Sequence, residues 1–117
     1  MAAPNIVNVS TITGKTAVAA PTTTASALVT NSGSSGKVFK INSLYVSNVN
    51  GTTAAYFTLD ILRGATPYRV VNLISVPANT MLDVINKSFY LEEGDTLRVT
   101  ASINGYLEVA CSYEEIS

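Results

Sequence analysis

The chain has 117 residues and a mass of 12.3 kDa, the size of one domain with one core. Seven basic and eight acidic side chains leave a net charge of −1, which excludes the basic field that displaces counterions from a nucleic acid. There is no histidine and one cysteine, so imidazole-assisted nucleophiles, the commonest zinc ligand and an internal disulfide are all excluded.

The opening, MAAPNIVNVS, has no cationic region and no long apolar core, so no signal peptide is expected. Pro4, Ile6, Val7 and Val9 lie in an uncharged stretch and predict an extended arm over residues 1–11. Such an arm can add a strand to a neighbouring subunit, which makes these four the candidate interface residues. Gly14-Lys15-Thr16 matches only the end of a phosphate-binding loop. The glycine required five places earlier is Val9, and Pro21 stops the helix that must follow, so a polar turn is expected. Ala27 to Thr30 predicts a short strand, and NSGSSG at 31–36 a loop.

From there the hydrophobic pattern has period two, the signature of strands. Phe39 and Ile41 sit on odd positions but Leu44 and Val46 on even ones; a bulge near Asn42-Ser43 puts both pairs on the core face. Asn50-Gly51 predicts a turn, after which Phe57, Leu59 and Ile61 alternate with Thr58 and Asp60. Arg69 to Val76 is apolar on both faces in its middle, which predicts a central strand. Pro77-Ala78-Asn79 ends that strand, and Met81 to Ile85 begins another. Glu92-Glu93-Gly94-Asp95 reads as a turn between Phe89–Leu91 and a strand carrying Leu97, Val99, Ala101 and Ile103. A last strand carries Leu107, Val109, Cys111 and Tyr113. Asn104-Gly105 between these two predicts a tight type I′ hairpin.

About eight short strands with turns every 8–12 residues predict an all-β fold over 1–117: a single-domain β-sandwich, expected as a jelly roll, with an immunoglobulin-like sandwich as the alternative. No apolar run approaches the ~20 residues of a membrane helix, so no membrane partner is expected.

Candidate chemistry is sparse. Glu92, Glu93 and Asp95 could hold calcium weakly but lack the spacing of a calcium loop, so a solvated turn is the expectation and no metal or cofactor is assigned. Asp60, Asp83 and Glu108 could supply a hydrolase pair only if two stood roughly 5–9 Å apart in a cleft. Tyr45 and Tyr56, flanking the Asn50-Gly51 turn, suggest a sugar-stacking face. Cys111 lies on the apolar phase of its strand and reads as a buried hydrophobe. Six basic side chains among residues 1–87 and six acidic ones among 88–117 allow either internal pairing or a dipolar surface that orients partners.

The opening, from APNIVNV through GKTAVAA, and the ending, YLEEGDTLRVTASINGYLEVACSYEEIS, resemble small virion structural proteins of tailed bacteriophages, especially marine and cyanobacterial ones. The resemblance covers nearly the whole chain and rests on architectural segments. It implies a non-enzymatic virion component in many copies, assembled in the host cytoplasm. The single domain without a fibrous repeat, the uncharged arm and the basic front with acidic end then give the expectation of a capsid decoration protein that binds the major capsid protein on the outer shell. A trimer is expected by analogy with virion jelly rolls. A tail, baseplate or fibre-tip subunit, or a carbohydrate-binding module, is the alternative.

Overall fold

The structure is a computed structural model and describes residues 8–117. Among these residues nine strands run in order: β1 (Ile12–Ala19), β2 (Ser26–Thr30), β3 (Val38–Asn48), β4 (Ala55–Arg63), β5 (Thr66–Val76), β6 (Met81–Asp83), β7 (Phe89–Leu91), β8 (Asp95–Ala101) and β9 (Leu107–Ile116). They form two antiparallel sheets. One has the order β1-β9-β3-β6, with β7 also on β3; the other has the order β2-β8-β4-β5. Packed face to face, the sheets make a β-sandwich, as the period-two pattern predicts. β6 pairs with Tyr45–Ser47 and β7 with Phe39–Ile41, so they act as two halves of one edge strand broken at residues 84–88.

The core follows from alternation. Phe57, Leu59, Leu97 and Val99 point inward from one sheet, and Ile41, Leu44, Val46, Leu107 and Cys111 from the other, all fully buried. Each such aliphatic or aromatic side chain stabilises the fold by about 1.5–3 kcal/mol. The phase break in β3 is a bulge: Ile41 pairs with Tyr113 and Ser43 with Ser112, leaving Asn42 unmatched. One extra residue restores Leu44 and Val46 to the core face that Phe39 and Ile41 occupy.

Three expectations about the sheets are corrected. First, Asn104-Gly105 does not close a hairpin. β8 and β9 belong to different sheets, and residues 102–106 carry the chain across the sandwich. Gly105 has φ +82°, but Asn104 is not left-handed, whereas type I′ needs both. Second, the Asn50-Gly51 segment likewise crosses between sheets, from β3 to β4. Among the described strands only β4 and β5 form a hairpin, through Gly64-Ala65, with Arg63 facing Thr66 and Gly64 at φ +64°. Third, β5 is an edge strand rather than a central one. It has an extra residue between its pairings Ile74–Phe57 and Val71–Leu59, and another between Val71 and Arg69. These bulges break its alternation and leave Tyr68, Val70 and Leu73 exposed.

The middle of β4 is covered on both faces: Thr58 and Asp60 are buried opposite the core residues, while Tyr56 on the same outer face is exposed. Groups from β5 and β8 meet the two buried side chains. The Thr58 hydroxyl accepts a hydrogen bond from the Leu73 N–H at 3.2 Å. Asp60 faces Arg98 directly across the strand pair and accepts Nε–H at 2.8 Å and Nη2–H at 3.2 Å.

Two buried asparagines organise the crossings. Asn31, at the end of β2, donates to the Leu91 and Lys37 carbonyls at 3.1 and 2.9 Å and accepts from the Ser35 hydroxyl. Asn48, at the end of β3, donates to the Val76 and Thr53 carbonyls, both at 2.9 Å, and accepts from the Asn50 N–H at 2.9 Å. In each case one side chain joins the carbonyl of a strand's last residue to a carbonyl in a crossing loop.

Candidate functional site

Of the four candidate interface residues, Pro4, Ile6 and Val7 lie outside the described residues. Val9 is half-buried and precedes β1. The described inner end of the stretch 1–11 is paired within the chain. The Ser10 and Thr11 N–H groups both donate to the Ser117 carbonyl, at 2.8 and 3.0 Å, and Ser117 N–H returns to Thr11 at 2.9 Å. Those two residues are tied to the chain's own last residue.

Gly14-Lys15-Thr16 lies inside β1, not on a loop before a helix, so the partial phosphate-loop match has no structural counterpart. The Glu92-Glu93-Gly94-Asp95 turn is a staple. Asp95 is fully buried and accepts Arg63 Nε–H at 2.8 Å and Nη2–H at 2.6 Å, and its second oxygen also accepts the Glu92 N–H at 2.9 Å. The hydrogen bonds from Arg63 hold the Asp95 carboxyl below the usual carboxylate range. Glu92 reaches the same guanidinium at 3.0 Å, and Glu93 accepts the Gly36 N–H at 3.0 Å. All three carboxylates therefore bind the chain's own groups, and no cluster of metal-ligating side chains occurs among the described residues.

The three carboxylates considered for a hydrolase pair are not brought together. Asp60 is in the second sheet, paired with Arg98. Asp83 and Glu108 share the outer face of the first sheet, but β3 separates their strands, with Asp83 opposite Tyr45 and Glu108 opposite Ser47. Two strand spacings alone place them roughly 10 Å apart. The tyrosines also separate. Tyr45 projects from the outer face of the first sheet and Tyr56 from that of the second, on opposite sides of the sandwich. Proximity in sequence across a crossing loop misled here, because the loop changes sheet.

Cys111 is fully buried, and burial pushes its thiol up to about 11, so it is no nucleophile. Glu115 accepts ion pairs from Lys15 at 2.8 Å and Lys37 at 3.1 Å, which hold its carboxyl down, and its hydrogen bond chiefly raises Lys15. Lys15, Lys37 and Arg63 thus pair with acids of the last thirty residues, and internal pairing accounts for much of the charge asymmetry.

The remaining surface feature is apolar. A shallow groove of about 450 Å³ runs over β1, β9 and β3 between Val18, Tyr45, Glu108 and Ala110. Val18 and Tyr45 are exposed along it, with Met81 beside them on β6 and Ile12 at the far end of β1. The sequence signal for this face was present in the outward phase of β1 and β3, but it has meaning only once these strands are neighbours of β9.

No family model matches the chain, and no curated protein does. The fold is similar to that of a chain in the solved structure of Bacillus endospore appendages, a family of disulfide-linked pili. The two share 17% identity with a TM-score of 0.55, over 100% of this chain and 96% of that one. At that identity the likeness establishes the β-sandwich and nothing about role.

Proposed function

We propose that the protein is a non-enzymatic structural subunit of a multi-copy assembly, and that this assembly is a phage virion in which it decorates the outer face of the capsid shell. The observation that supports a structural role is how the polar groups are used. No buried side-chain polar atom among the described residues lacks a partner, and the partners of Asn31, Asn48, Asp60 and Asp95 are the chain's own crossings and strands. What the surface offers is apolar side chains on both outer faces. The strand order, with β6 and β7 counted as one broken strand, fits a jelly roll of two Greek keys. The virion assignment rests on the sequence resemblance.

The structural neighbour favours a second reading, a subunit of a filament. The disulfide linkage of those pili is not supplied by Cys111 of this chain, which is buried. Cryo-electron microscopy of the particle tests the first reading. Density on the shell supports it, density only on the tail moves the subunit to the tail, and absence from the particle overturns it. Deleting residues 2–9, which spares the Ser10 and Thr11 pairing with Ser117, is expected to abolish shell binding by the folded domain. Normal binding would sink the arm.

A further inference from the structure

We propose that β1 is the docking edge for a second copy of this chain, with the two β1 strands pairing antiparallel about a two-fold axis at Thr16. The sandwich has four sheet edges among the described residues, and three are blunted. β5 carries two bulges, Pro67 and Arg69. β2 has five residues, with a bulge at Leu28. The β6 and β7 edge is two pieces of three residues, and Lys87 lies in the break. These are among the devices by which native sheets prevent strand addition. β1 has no bulge, proline or break. It runs eight residues in unbroken register against β9, from Ile12–Ile116 to Ala19–Val109, and among the described residues no other strand pairs with it. Its single charge, Lys15, is neutralised by Glu115 at 2.8 Å.

An incoming strand needs an unbroken edge of comparable length. Among the described strands only β1 supplies one, so the occupant is β1 of another copy. A two-fold at Lys15 would oppose two ammonium groups, and one at Gly14 would leave Ala17 to Ala19 unpaired. At Thr16, residues 13–19 pair with the same segment reversed, and Lys15 faces the partner subunit's Ala17. Val18, 74% exposed and the most exposed large apolar side chain described, then lies against the partner subunit's Gly14. Nothing stands within 4 Å of where a Cβ on Gly14 would be, so the space opposite the valine is open. Each pairing makes this contact twice and joins the two first sheets into one.

The inference deepens the structural-subunit reading but is read in a separate assay from shell binding. Sedimentation equilibrium of the full chain at high micromolar concentration should give twice 12.3 kDa. Such a dimer differs from the threefold packing expected from sequence. Val18→Lys, at an exposed site where far-UV circular dichroism should report an intact fold, should weaken pairing by about tenfold or more. Thr16→Cys should cross-link on oxidation, because residues opposed on one face hold Cβ atoms about 4.5–5.5 Å apart. Thr13→Cys, which faces position 19, should not, and the buried Cys111 does not compete. A monomer or trimer, undiminished dimer in folded Val18→Lys, or equal cross-linking at Thr13 would overturn the proposal.

Discussion

Replacing Asn48 with alanine is expected to cost far more than a polar residue beside a turn would suggest. The Asn48 side chain is buried and makes three hydrogen bonds, to the Val76 carbonyl, the Thr53 carbonyl and the Asn50 N–H, each at 2.9 Å. Truncation strands all three. The Val76 carbonyl is sealed from water and bears the full penalty of about 1–3 kcal/mol, while the other two are partly recovered by solvent. The sum is about 3 kcal/mol. For a domain of this size that lowers the melting temperature by roughly 10–15 °C. Urea unfolding followed by far-UV circular dichroism measures the loss directly. Asn48→Asp should be no better, since a carboxylate would face two carbonyl oxygens. A loss below about 1 kcal/mol for Asn48→Ala would mean the crossing from β3 to β4 does not depend on this side chain, and the account of the buried asparagines would fail.

Deleting Asn42 should prevent folding, because without the bulged residue either Phe39 and Ile41 or Leu44 and Val46 leave the core face. Deleting Ser34 from the adjoining loop should leave a cooperative transition in differential scanning calorimetry. Asp95 and Glu115 are both held below their ordinary values, so each stabilises the fold above its unfolded pKa, near about 4, and that contribution is lost as pH falls toward the folded value. Stability measured in urea should therefore decline on acidification from about pH 4, and Asp95→Asn should flatten part of that limb while lowering stability at neutral pH. A thiol reagent should find Cys111 unreactive in the native protein and stoichiometrically reactive in denaturant. Rapid native labelling would contradict its placement between the sheets.

The all-β class, the inward phases of β3, β4, β8 and β9, the bulge at Asn42 and the burial of Cys111 were all legible in the residues. Each depends on alternation along one strand, and a period of two is a local property of the chain. Which strands become neighbours is not local. Asn50-Gly51 and Asn104-Gly105 announce reversals, but a reversal leads equally to the adjacent strand or across the sandwich to the other sheet, and here both cross. Double-sided apolarity marked β5 as central. The structure instead covers both faces of the middle of β4, where Thr58 and Asp60 find Leu73 and Arg98, and leaves β5 at an edge that bulges hold out of register. Asn31, Asn48 and the Arg63–Asp95 staple were invisible for the same reason. Their partners lie between 2 and 60 residues away, and only the packing of two sheets decides which distant backbone groups meet the side chain.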